Sequence, residues 1–379
     1  MSFLASSLLG KVPLDVDWLE SPLPLDRSPA GQNEKPSWTY KKYFETIKEV
    51  LTRDSYGLLL KAVTKQLGTP LTLDDLREVL VYAEKHGHFY HPAKIEVNTV
   101  KGTARFALNG ALTKRGVEIM DREIMALRKL DAQYSYPWLP RVYFSADFEG
   151  DSGSRHQRLS LFLAEWLEGF HEFHLSLDPG DGTQKMILWD GSPKPTFLSS
   201  RQTSQVYHQV SMILTRYYNP RTYEQIFPWH HGAGDFVIKT EGEEIEARLV
   251  TVRQYGALMD PEKVPINEAC MFFFLNLSLR TRLDRLDGVG DLVWAEGDCL
   301  ERTWGGFWEG LKIKEKEGVV GQGFVRLFQD WMQSLTLGDL VERLSALLDS
   351  YDPEAPDLPV IKENIGPHLL RIYNFIHRA

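Results

Sequence analysis

The residues best equipped for chemistry sit in one glycine-rich turn. Residues 228–238 read Pro-Trp-His-His-Gly-Ala-Gly-Asp-Phe-Val-Ile. A helical segment precedes this turn and a strand follows it, so His230, His231 and Asp235 project from a single loop. Histidine titrates near neutral pH, which suits it to general-base work on a substrate hydroxyl. Asp235 adds a carboxylate to the same loop. The three side chains together are also a candidate ligand set for a metal-dependent hydrolase, although adjacent side chains in extended chain point to opposite sides. The plain alternative is a polar histidine pair capping backbone groups and an aspartate bonded to its own backbone. Further on, residues 249–256 read Leu-Val-Thr-Val-Arg-Gln-Tyr-Gly, the far arm of a hairpin that brings Gln254 near Asp235. A second charged cluster, residues 280–288, reads Arg-Thr-Arg-Leu-Asp-Arg-Leu-Asp-Gly. It fits ion pairing at a helix end closed by Gly288, or a phosphate or carboxylate clamp through Arg282 and Arg285.

These loops need elements to hold them. Residues 1–37 carry Pro13, Pro22, Pro24, Pro29 and Pro36, which lack backbone donors and predict an extended arm. Leu14, Val16, Trp18 and Leu19 give that arm something to bury. Residues 38–90 read as a helical extension: Tyr40, Tyr43, Phe44, Ile47, Val50 and Leu51 recur at helical spacing, and Thr72 with Asp75 opens a second helix towards His86. In residues 91–168 the pattern alternates. Strands are expected at 94–98 and 104–112 across a Lys101-Gly102 turn, then a helix over 117–130 with Met120, Ile124, Leu127 and Leu130 on one face. Two more strands follow, at 141–148 and 159–166. Residues 169–379 are mostly helical, at 199–217, 266–283 and from 323 onward, with one hairpin whose arms are 235–240 and 245–252. The expected fold class is α+β in two lobes: a small antiparallel sheet lobe with one helix, and a larger, mostly helical lobe.

The bulk composition narrows the function classes. Of 379 residues, 43% are hydrophobic and 25% charged, which supports a sizeable core. A net charge of -9 with no basic stretch argues against nucleic acid and against an anionic membrane surface as partners. Cys270 and Cys299 are too few for a disulfide framework, which points to a reducing compartment. The first residues lack a signal-peptide pattern, and the longest apolar run, 269–275, is far short of the roughly 20 residues that span a bilayer. The expectation is a cytoplasmic protein.

The order of elements and the turn at 228–238 resemble the aminoglycoside phosphotransferase and choline kinase branch of the protein-kinase-like superfamily, over residues 90 to 345. That family carries H-x-D-x-x-x-x-N, then a strand, then D-F-G; its first Asp handles the substrate hydroxyl, and its Asn and second Asp hold magnesium. The resemblance places Pro228 at the family's His, His230 at the catalytic Asp, Asp235 at the metal-binding Asn, and Gln254-Tyr255-Gly256 at D-F-G. Phe106-Ala107-Leu108-Asn109 matches the strand of the phosphate-pairing lysine, so Asn109 stands where that lysine is expected and Lys94, on the neighbouring strand, is its candidate substitute. Glu123 matches the helix Glu. Glu165-Trp166-Leu167-Glu168-Gly169 matches the hinge whose backbone meets an adenine.

The resemblance implies ATP and magnesium as cofactors and a small-molecule or nucleotide ligand, and it leaves room for a protein partner. The departures are specific. Asn109 and Gln254 carry no charge, His230 replaces an Asp, and Val100-Lys101-Gly102-Thr103 is no glycine-rich phosphate loop. Taken without the resemblance, Asn109 is a strand residue meeting a turn, Glu123 a solvated helix position, Lys94 an exposed strand lysine, and Gln254-Tyr255-Gly256 a hairpin exit. The first functional reading is a nucleotide- or small-ligand-binding pseudokinase with altered catalytic residues. The second is an active small-molecule phosphotransferase using His230 as base and Asp235 as metal ligand. The third is a metal-dependent hydrolase on His230, His231 and Asp235.

Overall fold

A computed structural model describes residues 2–7, 10–12, 17–23, 38–83, 90–152, 155–230 and 234–378. The fold class is α+β. The chain divides into two compact units, one comprising Met1–Ser135 with Pro140–Glu168, the other Tyr136–Leu139 with Gly169–Ala379.

The first unit contains β1 (Ser2–Ser7), β2 (Gly10–Val12), α1 (Tyr40–Leu67), β3 (Leu76–Ala83), β4 (His91–Thr99), β5 (Gly102–Ala111), α2 (Lys114–Gln133), β6 (Val142–Ser152) and β7 (Arg155–Glu165). Its sheet runs β2-β1-β3-β4-β5-β7-β6. β1 lies parallel to β3, and every other pairing is antiparallel. The sheet is thus larger than the small antiparallel lobe expected, it is mixed, and it belongs with two helices rather than one. Alternation on β4 and β5 sends Ala93, Ile95, Val97, Ala104, Phe106 and Leu108 into a core shared with Tyr43, Phe44, Ile47, Val50 and Leu51 of α1. Each of the larger aliphatic or aromatic side chains there, such as Ile95, Val97, Phe106 or Leu108, contributes about 1.5–3 kcal/mol on full burial. The fit is close at Gly110, where an added Cβ would lie 2.9 Å from the Tyr43 ring. The Tyr43 hydroxyl donates to the carbonyl of His91. The turn from β4 to β5 ends at Gly102, whose φ of +137° requires glycine.

Where a second helix towards His86 was expected, the chain makes a strand. The Thr72–Asp75 capping box forms, yet it closes only the single turn Leu73–Asp75 before β3 begins. β3 pairs with β1 on one side and β4 on the other, and Val79, Leu80 and Val81 are buried in succession. A strand covered on both faces reads as a continuous apolar run, so its sequence shows no alternation to distinguish it from a buried helix. Residues 84–89, including His86, lie outside the described residues. The proline-rich arm contributes β1 and β2 and buries Leu19 and Leu23. Pro13, Pro24, Pro29, Pro36, Leu14 and Val16 lie outside the described residues.

The second unit contains β8 (Phe173–Leu177), β9 (Gln184–Leu188), β10 (Thr196–Phe197), α3 (Ser200–Tyr217), β11 (Glu224–Ile226), β12 (Phe236–Glu241), β13 (Glu244–Leu249), β14 (Tyr255–Ala257), α4 (Ile266–Arg280), β15 (Leu283–Arg285), β16 (Leu292–Trp294), α5 (Cys299–Lys316), α6 (Phe324–Gln333), α7 (Leu337–Asp349) and α8 (Leu358–Arg378). The sheet β10-β9-β8 and helix α5 are additions to the expected layout. α5 carries Gly305, Gly306 and Gly310, which lower helix propensity and hide it from a pattern search. Those glycines let α3 approach: a Cβ on Gly306 would lie 2.1 Å from the His208 carbonyl oxygen, and one on Gly310 2.7 Å from Thr215 Cβ. α3 in turn fixes the β12–β13 hairpin through side-chain amides. Gln205 Nε2 donates to the Glu243 carbonyl (2.7 Å) and its Oε1 accepts from Ile245 N (3.1 Å); Gln209 Nε2 donates to the Ile245 carbonyl (2.5 Å) and its Oε1 accepts from Ala247 N (2.9 Å). Among the described residues no helix is long and apolar enough to cross a membrane.

Lys314 on α5 is fully buried, and its Nζ donates to the Arg216 carbonyl at 2.7 Å. Burial, reinforced by the Arg216 charge, lowers its pKa to about 7. The unfolded chain therefore holds a proton that the folded chain lacks between about pH 7 and the ordinary lysine value. Stability should rise with pH across that window. Urea titrations at a series of pH values should show the native chain gaining stability relative to Lys314→Met as pH rises through that window. The same method should show Gly306→Ala losing about 1–3 kcal/mol or more, because the clash is with backbone that has no room to yield.

Candidate functional site

In the second unit, the glycine-rich turn and the Gln-Tyr-Gly arm are brought together. β11 pairs with β14, with Ile226 opposite Tyr255, and Phe227 N donates to the Gln254 carbonyl at 3.1 Å. The hairpin β12–β13 sets Phe236 opposite Leu249, and Val250 N donates to the Asp235 carbonyl at 2.8 Å. Trp229 is buried and meets Phe236 edge to face, 6.0 Å between centroids. Gly234 has φ +72°, and a Cβ there would lie 3.0 Å from Glu172 Oε1, so glycine is needed at the bend.

Asp235 is only 1% exposed. Its Oδ2 accepts from the backbone N–H of His230 at 2.7 Å and forms an ion pair with the Arg253 guanidinium. The aspartate thus closes its own turn and carries a cation. The hairpin does bring the far arm to Asp235, but Arg253 makes the contact. The Gln254 side chain is exposed, and its main-chain carbonyl joins the two segments. Gly256 sits within β14 and does not have the positive φ of a turn glycine. His231 lies outside the described residues, with Gly232 and Ala233. Among the described residues no group of three or more His, Cys, Asp or Glu could hold a metal ion.

In the first unit, the sheet face opposite the α1 core carries the other candidates. Lys94 stands opposite Ala107, and Asn109 opposite Pro92 and Phe162. Lys94 is largely covered: its Nζ lies 5.0 Å from the Trp166 ring centroid, 5.5 Å from that of Tyr82, and 3.9 Å from Glu168 Oε2. It is therefore a cation between two aromatic faces rather than an exposed strand lysine. Glu123 on α2 is 2% exposed and accepts a 2.7 Å hydrogen bond from the Tyr90 hydroxyl, which corrects its reading as a solvated position. Tyr90 leans edge-on against Phe162, 6.4 Å between centroids. Glu165 ends β7; its N–H donates to the Arg141 carbonyl at 2.9 Å, and its carboxylate accepts from Arg141 N at 3.3 Å.

The charged run at 280–288 does not pair within itself. Helix α4 ends at Arg280, which pairs with Asp357. Arg285 donates to the Gly290 carbonyl at 3.0 Å. Buried Asp284 accepts from Leu175 N and Arg285 N, both at 2.7 Å. Gly288, at φ +67°, lies beyond the strand β15 rather than at the helix end.

Two residues were missed in the sequence reading: Arg253, the cation on Asp235, and Tyr90, the donor to Glu123. Hairpin register offered a signal for the first, because pairing Phe236 with Leu249 leaves Asp235 beside the residues leading to Arg253. No local pattern points to the second. Compared with family models and with curated protein sequences, the chain matches none.

Removing Arg253 leaves a buried carboxylate without its cation. Arg253→Met should therefore destabilise the chain by about 3 kcal/mol in urea titrations. Asp235→Asn, which keeps an oxygen for His230 N–H, should cost clearly less, because the remaining guanidinium is partly solvated.

Proposed function

We propose that the chain is a catalytically silent, nucleotide- or small-ligand-binding protein on the two-lobed protein-kinase-like plan. The strand, strand, helix, strand, strand order of β4, β5, α2, β6 and β7, followed by the β12–β13 hairpin and the β11–β14 pairing, supports the plan. The observation that carries the silent reading is the Asp235–Arg253 ion pair. The carboxylate at the position of a metal-binding Asn is buried against a guanidinium, and magnesium would have to displace that guanidinium to reach it. Gln254 supplies an amide where a second carboxylate is needed. These residues do not fit magnesium.

The nucleotide side fits better. Asn109 cannot answer a phosphate charge, but Lys94 presents an ammonium on the same face of the sheet, two strand positions from Pro92, the residue paired with Asn109. Trp166 beside it offers an aromatic surface at the end of β7. Glu123, whose family counterpart pairs the lysine, is occupied by the Tyr90 hydroxyl. The ligand class is therefore a nucleotide or other small anion-bearing aromatic compound held without a metal.

Thermal unfolding of the full chain with ATP or ADP, with and without magnesium or manganese, tests this. The expected result is a nucleotide-dependent rise in midpoint that is indifferent to the metal, disappears in Lys94→Met and is accompanied by no phosphate transfer or release. Metal-dependent turnover that is abolished in His230→Ala would establish the active phosphotransferase instead.

A further inference from the structure

Among the largely covered arginines one is out of pattern. Arg216, Arg248, Arg253, Arg280 and Arg343 each meet a carboxylate. Arg282, two residues past the end of α4, is 4% exposed, yet among the described residues its buried Nε and Nη2 have no hydrogen-bond partner and it forms no ion pair. A guanidinium always carries its charge, so burying one without an anion is among the costliest arrangements a fold can keep. Its charged and ionisable neighbours do not help. Cys299 and Tyr207 are both held neutral by burial, the thiol pushed up to about 12, and Arg371 is a like charge.

A second buried group faces the same place. His368 on α8 is 1% exposed, its Nε2 lies 3.0 Å from Ser278 Oγ, and its buried Nδ1 has no hydrogen-bond partner among the described residues. Trp294, at the end of β16, touches both: its ring lies 5.4 Å from the Arg282 guanidinium and 5.4 Å, edge-on, from the His368 ring. Burial and the charges of Arg282 and Arg371 all act to keep His368 unprotonated. Arg371 follows His368 by one helical turn, so the two share a face of α8. It is exposed, and its Nη2 donates to the Gly297 carbonyl at 3.1 Å, which sets it at the rim.

We propose that Arg282, His368 and Arg371 form a binding site in the second unit for a small oxyanion group, a phosphate or a carboxylate. Arg282 supplies the planar fork that binds two oxygens at once, and Arg371 meets the group from the solvent side. The Ser278 hydroxyl donates to the Leu275 carbonyl at 2.9 Å, so His368 Nδ1 becomes a donor to the anion when that hydroxyl turns to donate to Nε2 instead. Trp294 walls the site and holds the guanidinium plane. The site shares no residue with the Asp235 turn or the Lys94 face.

The test is thermal unfolding of the full chain in chloride buffer at constant ionic strength, titrated with inorganic phosphate in one arm and acetate in the other. The expected result is a midpoint that climbs about 3–6 °C per tenfold increase above the dissociation constant in one of the two arms, which also identifies the oxyanion. Arg282→Met, similar in volume and uncharged, should lose that climb, and Arg371→Gln should shift it to at least tenfold higher anion concentration. The proposal is overturned if neither anion moves the native chain, or if Arg282→Met responds as the native chain does. Should that variant fail to fold, an undiminished response in exposed Arg371→Gln overturns it equally.

Discussion

A carboxylate almost wholly withdrawn from water must be answered by a cation and by hydrogen bonds, and Asp235 is answered by both. That requirement organises the middle of the second unit. Accepting the His230 N–H closes the glycine-rich turn, while pairing with Arg253 pins the segment that leaves β13 and enters β14. The backbone bonds from Val250 to Asp235 and from Phe227 to Gln254 then run between segments already held in register. The same pairing means that the buried Asp235 carboxylate already has its counter-charge.

The first unit shows the complementary situation. Its candidate ligand face is made by strand alternation, which needs no special residues: once Ala93, Ile95 and Val97 go to the core, Lys94 must go to the other face. What surrounds that lysine is aromatic as much as acidic, with Tyr82 and Trp166 on its flanks and Glu168 at the edge. The lysine is thereby held in place without being fully neutralised. Glu123, on α2, accepts a hydrogen bond from the neutral Tyr90 hydroxyl.

Legibility in the sequence followed the range of the interaction. The β4–β5 hairpin, helix α2 and the β12–β13 hairpin were readable because period and turn chemistry are local, as at Gly102 and along Met120, Ile124, Leu127 and Leu130. β3 was not, because its neighbours on both sides come from distant chain and its burial erases the period. α5 was hidden by the glycines that its packing against α3 demands. The candidate site divides in the same way. The meeting of the turn and the far arm could be inferred from hairpin logic, whereas Arg253 as the counter-ion, Tyr90 as the donor and Arg282 as a buried guanidinium with no carboxylate among the described residues are facts of tertiary contact alone.

The side-chain amides of Gln205 and Gln209 carry one more consequence. A two-stranded ribbon such as β12–β13 presents an outer row of amides and carbonyls on which another extended chain could dock. Here the row at Glu243, Ile245 and Ala247 is capped by carboxamides from a helix, which imitate the backbone of a third strand without being one. The ribbon is thus sealed against intermolecular pairing along β13, and the helix that seals it is itself locked by the glycine seam of α5.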